Sequence, residues 1–502
     1  MPGIFSSLSA TASSLQSQSL AVQQAGKNIA NINNDSYARQ RVLMGTVGSQ
    51  ESLAGQTSGP LVAIGTEHVR DVFLDRQLLG EISYLSGLEA EDFRLKQALA
   101  NLGDTIDRSG DAQFVDDIVQ SGGGLRGAID YFFDTFESLA ARPNDATTRQ
   151  VMFQASENMV DMFHRVDQRF DLLQTELTSQ INEELAILND LFEELQEINL
   201  SIARIETGNP GSALDLRDLR QAKLEEISEY ALIEAREVQG SDGQIELTLF
   251  GADGEREVML GPGSLAKGLL FNEADSTFRV SGSNEEVDLQ AGLLPAVLNV
   301  RDETVSGLKE NIDRVANSLA TEVNELYYQA FVPAGADPAV PEISFFQEPT
   351  PPPGAGGTGV VTASEIALYS EPSDPAITEF VPLSASSLRT SETTISGSNE
   401  LALKIADLAI TDQAALGETP FSEFSANLVT RLGQDIRNGQ NRITVQADVK
   451  ELLETRRREV SGVSMDEEVS TMLQYQKAYQ ATSRYFNVLS EMLDTLINGL
   501  GR

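Results

Sequence analysis

The residue types that carry most enzymatic chemistry are scarce in this sequence. It contains no Cys and only two His, His68 and His164, which lie far apart in the chain. Neither His occurs in an HExxH or another paired-ligand spacing, so neither a metal site nor a His-based acid–base pair is predicted. Two Gly-rich stretches, residues 122–127 and 261–268, match neither a P-loop nor a dinucleotide-binding fingerprint and are interpreted as loops beside helices.

Acidic and basic clusters in the sequence have simpler explanations than catalysis. Neighbouring acids such as Glu183-Glu184 and Glu193-Glu194 lie in a long helical pattern, where they usually form a solvated face. The run Arg456-Arg457-Arg458 is flanked by glutamates and is interpreted as a self-neutralising helix surface. No Ser–His–Asp set can be assembled. We therefore predict no catalytic residue, no metal ligand and no cofactor, and a chain that is not an enzyme.

The charge balance argues against two classes of partner. The 502 residues include 36 Lys and Arg against 76 Asp and Glu, a formal net charge of −40. Such a field repels phosphate backbones and anionic lipid surfaces, so neither nucleic acid nor membrane is a predicted partner. The first residues, MPGIFSSLSATASSLQ, lack the basic region and apolar core of a secretion signal, so a cleaved signal peptide is not predicted.

Both ends of the sequence carry apolar residues at alternating steps of three and four, which predicts helices that pack as a coiled coil. The N-terminal seam includes Ile4, Leu8, Leu15, Val22, Ile29 and Ile32. The C-terminal seam includes Met472, Tyr479, Phe486, Leu493 and Ile497. Each stripe is buried most simply against the other, so the two ends are predicted to pair. Elsewhere the first helix is rich in Ser, Gln, Asn and Thr, which suits packing among identical subunits.

The interior is predicted to be helical with β-rich inserts. A periodic pattern that starts near Thr147 or Thr148 stops at Gly208-Asn209-Pro210-Gly211, a helix of roughly 90 Å if unbroken. Alternation at residues 245–249 then predicts strands, and residues 349–359 form a Pro- and Gly-rich stretch.

The fold class is therefore mainly α, with paired terminal helices, a long helical-bundle domain and small outer β domains. The predicted divisions are a terminal coiled-coil domain (1–70 and 461–502), a long helical domain (71–237, 291–332 and 401–460), a small β insert (238–290) and a reduced Pro- and Gly-rich outer insert (333–400).

The end of the first helix resembles a signature of bacterial flagellar proteins. Residues 28–37 read NIANINNDSY, similar to the NIANxNTxGY sequence of rod, hook and hook-associated proteins. The match is carried by Asn28, Asn31, Asn33 and Tyr37. Residues 34–36 depart from the Thr-Pro-Gly usual in that family, so this turn is expected to differ in detail.

The start of the last helix resembles the same proteins. Residues 461–468 read SGVSMDEE, similar to the family's SGVNLDEE, and the match is carried by Ser461, Gly462, Val463, Glu467 and Glu468. Interior stretches are similar to the hook-associated protein 1 family in particular: residues 132–139 (FFDTFESL), 142–145 (RPND), 216–220 (LRDLR) and 396–403 (SGSNELAL). The resemblance covers nearly the whole chain apart from the β-rich inserts.

This resemblance implies a structural subunit of the flagellum at the junction between hook and filament. It implies export through the flagellar type III apparatus, an extracellular location, and a chaperone that binds the C-terminal helix. The implied assembly partners are further copies of this chain, the hook protein and hook-associated protein 3.

Alternative functions remain open from the sequence. The hook protein or another axial subunit is the first alternative, although the long helical hairpin of residues 147–234 argues against the hook protein. An exported enzyme would need a catalytic insert, which residues 238–290 and 333–400 do not contain. An extracellular adhesin would depend on residues 333–400 alone.

Overall fold

The computed structural model describes residues 4–34, 36–46, 49–52, 55–58, 61–102, 124–331, 344–347, 360–370, 382–391 and 397–500. Most of these residues are helical, which confirms the mainly α fold class with β-rich inserts. The α-helices are α1 (Ile4–Ala30), α2 (Val72–Leu102), α3 (Gly124–Ala141), α4 (Ala146–Glu206), α5 (Leu214–Tyr230), α6 (Leu293–Asn299), α7 (Ser306–Phe331), α8 (Glu400–Asp407), α9 (Phe421–Ser461) and α10 (Met465–Leu500). None of the described helices combines the length and apolar character needed to span a bilayer.

The strands fall into three antiparallel sheets. They are β1 (Gln40–Thr46), β2 (Ser49–Ser52), β3 (Gly55–Ser58), β4 (Leu61–His68), β5 (Glu234–Glu237), β6 (Ile245–Gly251), β7 (Arg256–Leu260), β8 (Leu269–Asn272), β9 (Thr277–Val280) and β10 (Glu286–Asp288). Strand β1 pairs with β4, and β2 pairs with β3. The other six form one sheet in the order β5-β6-β10-β9-β8, with β7 beside β6.

The chain forms two compact units. Unit 1 comprises residues 1–87, 183–295 and 444–502, and unit 2 comprises residues 88–182 and 296–443. Helices α2, α4, α6 and α9 contribute residues to both. The sequence predicted four domains, with a β insert (238–290) separate from the terminal helices. In the structure, the six-stranded sheet belongs to the same compact unit as the terminal helices.

Unit 1 joins the two ends of the chain. Helices α1 and α10 are antiparallel neighbours, since Asn28 contacts Glu468 at one end and Gln18 contacts Thr482 further along (3.0 and 3.2 Å). The β1–β4 ladder begins where the chain returns from α1, with Gln40 opposite His68. The sequence did not predict these strands.

The long helix α4 confirms the sequence prediction of a helix of about this length. It runs for 61 residues from Ala146, within two residues of the expected start. Asp145 lies just before it and accepts hydrogen bonds from the backbone N–H (3.0 Å) and hydroxyl (2.7 Å) of Thr148, as an N-cap residue does. The strand predicted from the alternation at residues 245–249 is also confirmed, as part of β6. Helix α5 ends at Tyr230, four residues earlier than predicted, because residues 234–237 form an edge strand.

Unit 2 is built around aromatic side chains. Phe345 has no exposed surface and lies against Phe132, Phe136 and Tyr327, with ring centroids 5.5 to 5.9 Å apart. Phe345 belongs to residues 333–400, which the sequence assigned to a reduced outer insert. The described residues of that stretch instead belong to unit 2, because the apolar side chains of the stretch are buried in the core of that unit. These side chains are Phe345, Phe346, Val361, Ala363, Ile366, Tyr369, Leu383 and Leu388.

Polar side chains of α7 bind the backbone of residues 345–346 and 361 and hold these residues in place. The amide of Asn324 accepts from the backbone N–H groups of Phe345 and Phe346 (2.9 and 2.8 Å) and donates to the Phe346 carbonyl (3.0 Å). Asn317 accepts from Val361 N–H at 2.9 Å. These bonds satisfy backbone groups of an irregular segment that would otherwise be buried without partners.

Replacing Phe345 with Ala is expected to lower the free energy of unfolding of unit 2 by about 3 to 5 kcal/mol, because a fully buried ring leaves a cavity. Urea unfolding followed by circular dichroism measures the change. Val360→Ala is the matched control, since Val360 lies in the same stretch but is 62% exposed. Equal effects of the two substitutions would show that residues 344–347 are not part of the core.

Candidate functional site: the joint between the terminal motifs

The turn after α1 brings the N-terminal motif back onto its own helix. Backbone hydrogen bonds from Asn31 to Lys27 (3.2 Å) and from Tyr37 to Asn34 (3.1 Å) close two successive turns. As a result, Tyr37 lies beside Asn28, and both residues belong to the N-terminal signature. We call the cluster of Asn28, Tyr37, Arg39, Ser461, Gly462 and Glu468 the terminal joint.

Asn28 is the centre of the terminal joint. It is 2% exposed, and its amide makes five hydrogen bonds, the longest of them from Gln24 Nε2 to its oxygen (3.5 Å). Its oxygen accepts from the Tyr37 hydroxyl (2.8 Å) and the Gln40 backbone N–H (3.1 Å). Its Nδ2 donates to the Gln40 carbonyl (2.9 Å) and to a Glu468 carboxylate oxygen (3.0 Å). Only an amide offers two donors and an acceptor oxygen in this arrangement, which explains why Asn occupies the position.

Tyr37 is held as a hydrogen-bond donor. Burial, followed by the nearby carboxylates of Asp218, Asp215 and Glu468, raises the pKa of the Tyr37 hydroxyl well above its usual value. The phenol therefore stays protonated across the physiological range and donates to Asn28.

Glu468 connects the C-terminal motif to the same cluster. Its buried carboxylate pairs with Arg39 Nε at 2.7 Å, while Arg39 Nη1 pairs with Glu467 at 2.9 Å. The backbone N–H of Arg39 also donates to the Ser461 carbonyl at 2.8 Å. Both ends of the chain thus meet in one network of charge-assisted hydrogen bonds, which are the stronger kind.

Gly462 lies where α9 gives way to α10. A Cβ at this position would lie 2.2 Å from the Arg458 carbonyl oxygen, a contact that no side chain can make without backbone movement. Its N–H donates to the same oxygen at 2.9 Å. The close approach accounts for glycine at this place in the motif.

A second layer of polar residues supports the joint, and sequence reasoning missed most of it. Asp215 pairs with Lys27 of α1 and accepts from Gln40 Nε2 at 3.0 Å. Asp218 accepts from the backbone N–H of Ala38 (3.3 Å) and from Arg70 (3.0 Å). It also lies 3.3 Å from His68 Nε2.

The only sequence signal for this layer was the motif of residues 216–220, which contains Asp218. His68, for which the sequence predicted no metal-binding or acid–base role, belongs to this layer. His164 lies elsewhere, with Nε2 2.8 Å from the carbonyl oxygen of Ile366.

The other signature residues lie around this centre. Asn31 donates to the Lys27 carbonyl at 2.9 Å, and Asn33 is exposed on the turn. Val463 is half-buried beside Gly462. Together with Tyr37, Ser461 and Gly462, Asn31 and Val463 line a cavity of about 120 Å³.

The predicted seam residues divide into two groups. Half-buried between the helices or at their ends are Leu8, Leu15, Val22, Ile29, Ile32, Met472, Phe486 and Leu493. Tyr479 and Ile497 are 42% and 56% exposed, so within a single chain they are not seam residues. Ile497 lies near the far end of α10, which at 36 residues is longer than the 27 residues of α1. The side chain of Ile4 lies outside the described residues.

The terminal joint provides rigid attachment between segments from the two ends of the chain. Within the described residues, no group of three or more metal-ligating side chains is placed to hold an ion. The polar groups of Asn28, Tyr37, Arg39 and Glu468 hold the turn after α1 and the start of α10 together. The arrangement fixes the positions of two helices.

Comparison with known proteins agrees with a structural role. The model "Flagellar hook-associated protein FlgK helical domain" matches residues 113–337, and "Flagellar basal body rod FlgEFG protein C-terminal" matches residues 457–499. The second match contains the C-terminal half of the terminal joint. The chain is a flagellar hook-associated protein of the FlgK type.

Curated relatives of this FlgK-type chain match along its whole length. Flagellar hook-associated protein 1 of Bacillus subtilis is 22% identical over 535 residues, covering 100% of this chain and 99% of the relative. The Salmonella typhimurium protein of the same name is 22% identical and covers 97% and 98%. These relatives are structural flagellar proteins, and the FlgK-type chain is accordingly not an enzyme.

A solved structure shares the fold of the FlgK-type chain. The flagellar hook junction protein FlgK from Burkholderia pseudomallei aligns with a TM-score of 0.56 at 14% identity. The alignment covers 77% of this chain and 100% of that one. Independently of that structure, the match of its C-terminal region to a basal body rod family supports assembly into the axial structure of the flagellum.

Proposed function

We propose that this chain is a structural subunit of the hook–filament junction that assembles through its paired terminal helices. The observation that carries the proposal is an apolar stripe on α10 that α1 does not cover. Its members, Tyr485, Val488, Met492 and Leu496, are 46 to 55% exposed. Contiguous exposed apolar surface of this kind marks a protein interface.

The stripe lies next to the side of α10 that packs on α1. At about 100° per residue, its four members fall within a single arc of roughly 80°. The half-buried Met472, Phe486 and Leu493 lie roughly 100 to 160° from the centre of this arc. Since α1 occupies that side, the stripe is available to a neighbouring subunit.

The proposed packing also involves the exposed side of α1, which is uncharged. Ser9, Ala12, Gln16 and Gln23 are exposed there. Identical subunits placed side by side would repel if these positions carried like charges, and the net charge of −40 lies almost entirely elsewhere. Head-to-tail contacts between such surfaces generate rings or helical arrays.

Val488→Glu and Met492→Glu test the stripe. Each is expected to change the free energy of unfolding of the isolated chain by less than about 0.5 kcal/mol, because the positions are exposed. Each is expected to abolish incorporation into flagella and swimming, because a charge would be buried between subunits. Immunogold labelling of flagella and swimming assays measure the loss.

Gln480→Glu is the control for these variants, since it adds the same charge at an exposed position on α10 outside the stripe. Normal swimming of the Val488→Glu and Met492→Glu strains would contradict a subunit contact at the stripe.

We propose the hook protein and hook-associated protein 3 as neighbours, an export chaperone on α10, and type III export without a cleaved signal peptide to the extracellular junction. Support comes from the names of relatives that match over the full chain.

Electron microscopy of cells lacking the gene tests the position. Hooks without filaments, with flagellin in the medium, are expected. Absent hooks would move the assignment to the hook protein, and intact flagella would overturn it.

A further inference from the structure

A second cavity in unit 1 is lined by basic residues. It has a volume of about 130 Å³ and lies between the start of α2, helix α5 and strands β5 and β6. Four arginines line it: Arg70, Arg76, Arg217 and Arg220. Only two carboxylates, Asp75 and Glu237, face it among the described residues, so its wall carries excess positive charge in a strongly acidic chain.

Arg220 is the unusual member of this set. It is 7% exposed, and its Nη1 donates to the Gly243 carbonyl (2.7 Å) and to Asn199 Oδ1 (3.4 Å). Both acceptors are neutral. Among the described residues, Arg220 has no ion-pair partner, and its Nε and Nη2 make no hydrogen bond. A buried guanidinium is normally paired with an anion, because desolvation of an unpaired charge is costly.

The neighbouring arginines are already compensated. Arg217 pairs with Glu206 (2.8 Å) and Glu237 (2.9 Å), and Arg70 pairs with Asp218 (3.0 Å) and Asp75 (3.4 Å). The carboxylates of the cavity wall are therefore used by arginines other than Arg220.

The charge of Arg220 persists at neutral pH. Burial, and then repulsion from Arg217, lowers its pKa to about 10. That value still leaves the guanidinium protonated under physiological conditions. The fold thus retains a buried positive charge for which the described residues supply no directly paired counter-ion.

Arg76 lies exposed on the cavity wall and likewise has no ion-pair partner within the ranges that the structure describes. Apolar side chains, among them Val72, Leu79 and Leu224, form other stretches of the wall. They limit the cavity to a small ligand, and the guanidinium groups favour a planar or tetrahedral oxyanion, which accepts paired hydrogen bonds.

We propose that this cavity binds a small oxyanion, either a carboxylate or inorganic phosphate or sulfate, on the guanidinium of Arg220 with Arg76 as the second ligand. The anion supplies the negative charge that pairs with the buried guanidinium of Arg220. It joins Arg76 of α2 to Arg220 of α5, next to the Arg70–Asp218 ion pair that supports the terminal joint.

The test is direct binding of inorganic phosphate to the full chain, measured by ³¹P NMR line broadening at constant ionic strength set with sodium chloride. Saturable broadening is expected. Arg76→Gln is expected to weaken binding about tenfold through loss of one charge-assisted hydrogen bond. Arg220→Lys keeps the charge but loses the planar donor edge, and is expected to abolish saturation.

Arg236→Gln is the matched control, because Arg236 lies on β5 with its side chain paired to Glu234 and does not line the cavity. It removes one cation and is expected to leave phosphate binding unchanged. Circular dichroism confirms folding of each variant, and Arg76→Gln keeps the test decisive should Arg220→Lys unfold.

Competition by acetate distinguishes the two kinds of oxyanion. Displacement of phosphate by acetate supports a site that also accepts carboxylates, and no displacement overturns the carboxylate assignment. Absence of saturable phosphate broadening, or equal broadening in wild type and Arg76→Gln, overturns the site itself.

Discussion

Replacing Asn28 with Ala is expected to lower the stability of the terminal joint by about 4 kcal/mol, the combined effect of several buried groups left without partners. The Tyr37 hydroxyl, both backbone groups of Gln40 and one Glu468 oxygen lose a bond together. Because 1.4 kcal/mol corresponds to a factor of ten, amide exchange around residues 28–40 and 465–470 is expected to accelerate roughly a thousandfold. Hydrogen exchange with mass spectrometry measures it.

Asn33→Ala is the control for Asn28→Ala. Both asparagines belong to the N-terminal signature, but Asn33 is exposed on the turn. Its replacement is expected to change exchange in these segments less than twofold. If both variants accelerate exchange equally, the buried bonds of Asn28 do not hold the joint together.

Gly462→Ala is expected to destabilise the connection between α9 and α10 by about 3 kcal/mol. The new methyl carbon would lie 2.2 Å from the Arg458 carbonyl oxygen, so the backbone of the joint must move. That movement disturbs the bond from Arg39 N–H to the neighbouring Ser461 carbonyl. Urea unfolding and hydrogen exchange at residues 457–470 measure the loss.

Gly439→Ala provides the comparison, since Gly439 lies within α9 and a Cβ there meets no atom within 4 Å. Alanine at this helical position is expected to stabilise the chain by about 0.5 to 1 kcal/mol. A Gly462→Ala chain as stable as the wild type would rule out the close approach as the reason for glycine in the motif.

The polar character of the terminal joint has a geometric consequence. Two helices held only by apolar stripes can slide by a turn at little cost, whereas a buried amide bonded to a carboxylate has one favourable register. The contact of Asn28 with Glu468 fixes α10 against α1 at one end, and the contact of Arg39 with Ser461 holds the end of α9 beside them. If the chain assembles as proposed, this fixed register would align the uncovered stripe with that of a neighbouring subunit.

Local sequence patterns determined much of this protein. The helix of 61 residues follows from an apolar period that ends at Gly208-Asn209-Pro210-Gly211, because helix geometry depends on neighbours within a few residues. The two end motifs were also readable from sequence, and several of their residues, including Asn28, Tyr37, Ser461 and Glu468, meet in one cluster.

Only the tertiary structure decided which distant residues complete that cluster. Asp215, His68 and Arg70 carry no local pattern that links them to Asn28, since their contacts arise from strand pairing and helix packing between segments far apart in the chain. The same holds for Phe345, whose Pro- and Gly-rich surroundings predict an outer insert. Its burial depends on Asn324 and on aromatic rings from other helices, because hydrophobic burial is a property of the packed chain rather than of local composition.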